Sequence, residues 1–439
     1  MAPIDAGALI DRSEWTLYQK LLTALAAMAI VIDGFDIQIL ALAIPSLIRD
    51  WHATRAAFAP VLALGLAGMA VGGPVFGYWG DRFGRRPALI GAIVLFGLAT
   101  VATAFIDSVA ALALLRFITG LGAGGAVPNA GTLAAEFAPL SRRPAAVKLT
   151  IVCIPLGGML GGFIAARVLP AFGWRTLYLI GGATPLVFAL VLWWLLPESP
   201  RFLAARPAGW PALARFLRRA GHAVALDSAF EDRQERRTGE QASIRQLWSP
   251  EHLRQTAGLW ITFFFCMGAI YLVFGWLPTL LGTQGMSVPA ASSGMAWYNL
   301  GGVVGVMLWA VLTTLFGSRR PLLGGVLAAA MGAIAVWWIP AAFLIPALAL
   351  HGLLANAVAT SIYALAAHVY PAAIRASGVA WAASLGRVGG ILSSLYGSVI
   401  IGLGAGAYWG SFALAMVGAG VGLALVSRHI PASNRGESS

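Results

Sequence analysis

The stretch Val31-Ile-Asp33-Gly-Phe-Asp36-Ile-Gln38 places two carboxylates in the middle of an apolar run from about Leu21 to Ile44. A run of this length spans a bilayer as one helix, and two residues three positions apart share a helix face. An unpaired carboxylate at the bilayer centre costs roughly 3 kcal/mol on insertion scales, and burial together with a like-charged neighbour favours the protonated form. The stretch therefore predicts a membrane helix whose acids take up and release protons. The alternative is a structural polar patch satisfied by nearby hydrogen-bond donors.

The composition of the whole chain is that of a membrane protein. Of its 439 residues, 59% are hydrophobic and 10% are charged, whereas a soluble domain carries about 25% charged residues. Twelve apolar spans are predicted, at about residues 21–44, 57–79, 88–106, 111–136, 145–169, 176–196, 255–282, 290–315, 321–339, 342–368, 376–400 and 407–427. These spans predict an all-α, polytopic membrane protein with twelve transmembrane helices.

The net charge of +12 is concentrated in the connections on one side of the predicted membrane. Positive charge gathers on the cytoplasmic side of membrane proteins, so both termini are predicted to be cytoplasmic, and the charge indicates orientation rather than nucleic-acid binding. The two cysteines, Cys153 and Cys266, fall inside apolar runs and have no disulfide or metal-ligand spacing. No nucleotide loop, metal cluster or nucleophile constellation is present. We therefore expect no cofactor, no metal and no enzymatic activity.

The chain contains a weak internal repeat. Phe83-Gly-Arg-Arg-Pro87 recurs as Phe316-Gly-Ser-Arg-Arg-Pro321, and two looser echoes share nearly the same offset, about 233 residues. The repeat predicts two six-helix halves, residues 1–196 and 255–439, joined by a cytoplasmic central loop, residues 197–254, that contains a short amphipathic helix at Trp210 to Ala220. Two such halves with a site between them are the layout of alternating access.

A glycine- and arginine-rich stretch, Gly77-Tyr-Trp-Gly-Asp81-Arg82-Phe-Gly84-Arg85-Arg86-Pro87, follows the second span. Its glycines allow close helix approach, and Asp81 can cap the next helix or pair with arginines in a charge cluster that makes and breaks as the halves move. The alternative is a plain basic loop that orients the chain. The stretch resembles the loop signature of the major facilitator superfamily, with Gly77, Asp81, Gly84, Arg85 and Arg86 in place. Thr314 stands where the repeat would put an aspartate, so a weaker second gate is expected.

Two further stretches resemble motifs of that superfamily. Arg116-Phe-Ile-Thr-Gly120-Leu-Gly122-Ala-Gly124-Gly125 opens the fourth span; its glycines indicate packing, and Arg116 is either an interface residue or part of a proton relay with the first-span acids. Pro197-Glu-Ser-Pro-Arg201 follows the sixth span, with Glu198 and Arg201 as expected latch charges. Glu136, at the far end of the fourth span, is predicted to join Asp81, Arg82 and Arg142 in the gate.

The eleventh span carries Arg387 near the predicted membrane centre. A guanidinium stays protonated, so Arg387 needs an anion as its partner. This anion is either a first-span acid or the carboxylate of a substrate. We favour the substrate, because a guanidinium can bind a carboxylate through two hydrogen bonds. Arg375, at the inner mouth of the same span, is either a topological anchor or a gating residue. Tyr271 in the seventh span is either an interface residue or, as its depth favours, part of a substrate cavity, because aromatic walls suit a flat ring. Tyr298 and Asn299 in the eighth span are further polar groups at the depth of this cavity.

Asp33-Gly-Phe-Asp36, the segment Trp276-Leu-Pro278-Thr and the spacing from Tyr370-Pro to Gly389-Gly390 together resemble the aromatic acid/proton symporter family. This resemblance implies proton-driven uptake of a benzoate- or hydroxybenzoate-type acid across a bacterial inner membrane, by a protein that functions as a monomer in the lipid bilayer. It implies functional acids at Asp33 and Asp36 and functional arginines at Arg375 and Arg387. The alternatives are a transporter of another organic anion, a nicotinate-like acid, a sugar or a drug by antiport, and a ligand sensor that transports nothing.

Overall fold

The computed structural model describes residues 3–226, 228–232, 244–371 and 374–432. Its long helices are α2 (Leu17–Asp50), α3 (Arg55–Phe83), α4 (Arg85–Thr103), α5 (Val109–Phe137), α6 (Arg143–Leu195), α9 (Pro250–Thr283), α10 (Val288–Phe316), α11 (Arg319–Trp338), α12 (Leu344–Val369), α13 (Arg375–Gly402) and α14 (Ala405–Leu425). Three short helices are α1 (Ala6–Arg12), α7 (Pro200–Ala204) and α8 (Trp210–Arg219), and two short strands are β1 (Ile4–Asp5) and β2 (Phe230–Glu231).

Within these residues eleven helices are long and apolar enough to cross a membrane, whereas the sequence predicts twelve spans. The difference lies in α6, whose 53 residues contain both the fifth and the sixth predicted spans. At 1.5 Å per residue α6 would be about 80 Å long, far more than the roughly 30 Å of a bilayer core. Gly173 interrupts it with φ 76° and ψ 176°, a conformation that glycine adopts easily. The chain therefore turns back at Gly173, and α6 supplies two crossing segments.

The helices pack as two groups, α2–α6 and α9–α14, which meet where α2 contacts α9, α3 contacts α13 and α6 contacts α10. Close packing within each group depends on glycine. A Cβ atom at Gly157 of α6 would lie 2.0 Å from the carbonyl oxygen of Val31 in α2, and one at Gly301 of α10 would lie 1.8 Å from that of Ala349 in α12. No larger residue fits at such backbone approaches.

The chain before α2 and the segment after α6 form a cap over the first group of helices. β1 pairs in parallel with β2, joining Ile4 to Phe230. The amphipathic helix expected at Trp210 to Ala220 is present as α8, and its Phe216 is buried against Phe137 at the end of α5. We call this end of the bundle, where α2 begins and α14 ends, the terminal face, and the other end the opposite face.

Candidate functional site

Asp33 lies in the middle of α2 and is completely buried. Neither of its carboxylate oxygens has a hydrogen-bond partner among the described residues. The charged groups that act on it electrostatically are Asp36 on its own helix and Arg387 of α13 in the other group of helices. A buried carboxylate without a partner is costly while it is ionised, so Asp33 can hold a proton at this position.

Asp36, one turn further along α2, is in a different situation. Its carboxylate accepts a hydrogen bond of 2.7 Å from the Thr100 hydroxyl and lies 3.6 Å from the Arg116 guanidinium. Arg116 also donates to Thr100 at 3.2 Å and to Thr119 at 3.3 Å, and its guanidinium lies over the Tyr178 ring. The sequence left two alternatives for Arg116, an interface residue or a partner of the first-span acids. In the structure Arg116 contacts Asp36, one of these acids. Asp36 and Arg116 are a buried, charge-balanced pair.

Arg387 is half-buried at the middle of α13. Its guanidinium makes no hydrogen bond or ion pair with any residue in the described ranges, and Nη1 lies 3.8 Å from where a Cβ atom of Gly73 in α3 would be. Arg387 thus reaches across to the other group of helices. Its positive charge acts on Asp33 without forming a direct ion pair, which leaves its donors available for an anion from outside the chain.

A small cavity lies between the two groups of helices, with a volume of about 60 Å³, enough for a few water molecules. One wall holds Asp36, Arg116 and Thr119, and the other holds Tyr271, Phe274 and Ser394. The Tyr271 ring packs against Gly390, one turn along α13 from Arg387. Of the three residues predicted to line a substrate cavity, only Tyr271 lines this one.

Tyr298 and Asn299 lie elsewhere. Tyr298 is fully buried beside Phe274 and His351. Asn299 forms two reciprocal amide hydrogen bonds with Gln38 of α2, at 3.0 and 2.9 Å, and both side chains are completely buried. This pair joins the two groups of helices inside the membrane region. Gln38 has no predicted role, because nothing in the sequence relates it to a residue 261 positions away.

Other close approaches between the groups lie from the middle of the bundle toward the opposite face. Gly275 of α9 approaches Leu62 of α3, and Gly162 of α6 approaches Ala296 of α10. The groups are therefore held together between the middle of the bundle and the opposite face.

The predicted gate residues lie at the terminal face. Asp81 forms an ion pair with Arg85, which also donates to Asn129 at 3.4 Å. Arg82 is exposed and donates weakly to Tyr78 at 3.5 Å. Gly77 has open space around it. The charge cluster at the start of α4 thus consists of neighbouring residues on α3, α4 and α5.

Glu198 lies against the turn between α3 and α4. Its carboxylate accepts hydrogen bonds from the backbone N–H groups of Arg86 at 3.0 Å and Ser199 at 2.8 Å. Burial raises the pKa of the Glu198 carboxyl, and this effect outweighs the backbone donors, which lower it. Gly84 has φ 115°, and a side chain at this position would displace the Glu198 carboxylate. Arg86 reaches the carbonyl oxygen of Trp193 and lies over its ring.

A second acid–arginine network was missed by sequence reasoning. Asp11 of α1 pairs with Arg143 at the start of α6 and lies 3.5 Å from Arg201, which also lies 3.5 Å from Asp232. The network ties the N-terminal cap to α6 and to the segment that follows it. Only the charges themselves were visible in the sequence, because their partners are far apart along the chain.

The remaining predicted gating residues are Glu136, Arg142 and Arg375. Glu136 accepts a hydrogen bond from the Ser199 hydroxyl, because the end of α5 faces the segment after α6. Arg142 is exposed, and its neighbour Arg143 makes the buried contact. Arg375 is exposed at the start of α13, where its Nε donates to the carbonyl oxygen of Tyr370 at 3.4 Å.

Comparison with known proteins gives concordant results. The family model described as Major Facilitator Superfamily matches residues 26–394 and 259–439. A gallate transporter of Pseudomonas putida is 37% identical over 413 residues, 92% of this chain and 90% of the relative. The 4-hydroxybenzoate transporter PcaK of Acinetobacter baylyi is 33% identical over 408 residues, 91% of this chain and 88% of the relative. An inward-open structure of the xylose transporter XylE from E. coli has the same fold, with a TM-score of 0.74 at 19% identity, over 96% of this chain and 98% of that one.

Proposed function

The chain belongs to the major facilitator superfamily, and we propose that it is a proton-coupled importer of an aromatic carboxylic acid, of the benzoate or hydroxybenzoate class. The similarity to gallate and 4-hydroxybenzoate transporters along nearly the whole chain supports this substrate class. We further propose that the protein lies in a bacterial inner membrane, acts as a monomer and has both termini in the cytoplasm, at the terminal face. The concentration of arginines near the terminal face supports this orientation.

The observation that carries the proposal is the pair of unsatisfied groups at the centre of the bundle. Asp33 is a buried carboxylate without a hydrogen-bond partner, and Arg387 is a guanidinium without an ion pair. The two lie on different groups of helices, so their distance changes when the groups move. A cation inside the membrane region needs an anion as its partner. We assign that anion alternately to Asp33 and to the carboxylate of the substrate.

Proton coupling follows from this competition for one cation. When Asp33 is protonated, Arg387 is free to bind the substrate carboxylate through two parallel hydrogen bonds. When Asp33 loses its proton, its negative charge competes with the substrate and favours release. The substrate anion therefore travels with a proton. An anion moving inward alone would work against the membrane potential, at about 2.3 kcal/mol per 100 mV for each charge, and the accompanying proton removes that cost.

Asp36 has a different task in this scheme. Its contacts with Thr100 and Arg116 compensate its charge in the present conformation. We assign it to positioning Arg116 at the cavity wall, and we assign proton uptake mainly to Asp33.

Alternating access requires contacts that break on each side in turn. Toward the opposite face we assign this role to the Gln38–Asn299 pair, because it joins the two groups directly. At the terminal face the contacts of Asp81, Arg85 and Glu198 lie within the first group of helices in this conformation, and we assign to this cluster a contact with the other group that forms when the terminal face closes. Arg375 remains a proposed gating residue at the mouth of α13.

The test is uptake of labelled 4-hydroxybenzoate into proteoliposomes, with and without an inward proton gradient. Wild type should accumulate substrate only with the gradient. Asp33→Asn, which mimics the protonated acid, should lose gradient-driven accumulation but keep the exchange of labelled for unlabelled substrate. Arg387→Ala should lose both processes.

Asp107→Asn is the matched control, because that acid pairs with Arg175 on the protein surface, away from the centre. If Asp33→Asn still accumulates substrate in response to the gradient, the proton site lies elsewhere. If wild type takes up no aromatic acid at all, the substrate class is wrong and only membership of the superfamily remains.

A further inference from the structure

We infer that an apolar groove along the first crossing segment of α6, which ends at Arg167, is a binding site for one anionic phospholipid. An acyl chain of the lipid lies in the groove, and its phosphate group binds to Arg167. The site is separate from the central cavity and goes beyond the proposed function.

The groove consists of two adjoining cavities, with volumes of about 580 and 360 Å³. Both cavities are lined by Leu160 and Ile164 of α6, so they form one continuous groove. Each lies in the size range of small-molecule sites. The groove opens toward the membrane, because Met28, Leu160 and Val187 are exposed along it. Its other apolar walls include Val31, Ile32 and Phe35 of α2.

The length of the groove matches one leaflet of a bilayer. Gly157 lines its inner part and Arg167 its outer end, and ten residues of helix correspond to about 15 Å. This is half of the roughly 30 Å of a bilayer core. Lys148 and Arg167 are 19 residues apart on the same crossing segment, about 28 Å, so they lie near the two surfaces of the hydrocarbon region. Arg167 is therefore at the level of the lipid headgroups.

The charge at the outer end of the groove has no anion in the protein. Arg167 is exposed and makes no hydrogen bond or ion pair with the residues that the structure describes. Asp50, near the same face, accepts a hydrogen bond from Trp174, and Asp107 pairs with Arg175. A guanidinium binds a phosphate through two parallel hydrogen bonds, and basic pockets between membrane helices bind anionic headgroups. An anionic lipid supplies the missing charge.

The outer end of the groove is built by both groups of helices. Ser293 of α10 lines the same cavity as Arg167. Beside it, the Phe163 ring of α6 packs edge-on against Trp297 of α10, with ring centroids 6.2 Å apart. The Ser293 hydroxyl is a second donor for the phosphate oxygens. A headgroup at this junction is held by two elements, which distinguishes the site from an isolated arginine on a helix surface.

The experiment measures lipid binding to the full-length protein by native mass spectrometry. The protein in detergent is mixed with equal amounts of phosphatidylglycerol and phosphatidylcholine that have identical acyl chains. Wild type should retain more phosphatidylglycerol. Arg167→Gln should lower the ratio of the two bound lipids about fivefold, and Arg167→Lys, which keeps the charge, should retain most of the preference. Leu160→Trp fills the groove where its two cavities join and should reduce the retention of both lipids.

Arg49→Gln is the matched control, because Arg49 is also exposed near the opposite face but lines neither cavity. Equal losses in Arg49→Gln and Arg167→Gln would show general attraction by surface charge and overturn the site. A wild type without a preference for phosphatidylglycerol also overturns it, and undiminished retention by Leu160→Trp overturns the role of the groove. These measurements involve no substrate, so their failure leaves the proposed function intact.

Discussion

The hydrogen-bonded amides of Gln38 and Asn299 join the two groups of helices toward the opposite face. We therefore expect a change at Gln38 to shift the balance between the conformations that are closed and open at that face. Gln38→Leu removes both hydrogen bonds and leaves the Asn299 carbonyl oxygen buried without a donor, while its NH₂ group still donates to Met295 at 2.8 Å. The loss of two hydrogen bonds, with one acceptor left unsatisfied, destabilises the conformation closed at the opposite face by about 2–3 kcal/mol. The loss applies only while the opposite face is closed, because water satisfies the amides once the groups separate.

A change of 2–3 kcal/mol shifts the equilibrium about 30- to 150-fold toward the conformation that is open at the opposite face. The assay is double electron–electron resonance between spin labels at Thr54 and Gln284, exposed positions in loops of different groups at the opposite face. The buried Cys153 and Cys266 are first replaced by alanine. Gln38→Leu should move the main distance peak to a longer distance.

The double variant Gln38→Leu/Asn299→Leu separates a pairing effect from a packing effect. It leaves no amide unsatisfied, so its distance distribution should return toward that of wild type, because replacing both partners by apolar groups is nearly neutral. Gln255→Leu is the control, since Gln255 bonds to Ser427 within one group of helices. If the single and double variants give the wild-type distribution, the pair contributes packing only and does not control closure.

Three further outcomes follow from the contacts described. Gly158→Ala should separate the groups in the same assay, because its Cβ atom would lie 2.2 Å from the Gln38 amide nitrogen and 2.8 Å from Oδ1 of Asn299 in the other group; an unchanged distance would show that the pair adjusts. Burial raises the pKa of the Glu198 carboxyl in the folded state. The stability that this carboxyl contributes is therefore fully present below pH 4.5, the ordinary pKa of glutamate, and declines as the pH rises through the pKa of the folded state. Thermal unfolding of Glu198→Gln should therefore depend less on pH than that of wild type, and equal slopes would contradict this. Asp11→Asn should lower the free energy of unfolding by about 2–3 kcal/mol, because its partners are arginines in a largely buried network. Asp107→Asn, at an exposed pair, should change it by less than about 1 kcal/mol in the same denaturation experiment, and equal losses would argue against the network.

Residues that interact along one helix, or that are costly wherever they lie, were identified from the sequence. Asp33 and Asp36 are expensive inside an apolar run whatever surrounds them, and Arg387 needs an anion for the same reason. The spans followed from apolar length, although the fifth and sixth spans form one long helix that is interrupted at Gly173. The alternation of apolar spans and polar connections depends only on local composition, so it could be predicted without knowledge of the tertiary structure.

The pairings were decided by the tertiary structure. Asp33 and Asp36 look equivalent in the sequence, yet only Asp36 contacts Thr100 and Arg116, because α4 and α5 pack beside that turn of α2. Asn299 has the polarity of a cavity residue and is instead satisfied by Gln38. Hydrogen bonds and ion pairs act over a few ångströms between groups that are hundreds of residues apart. The sequence of this protein therefore determines which side chains need partners, and only the packing of its helices determines which partners they have.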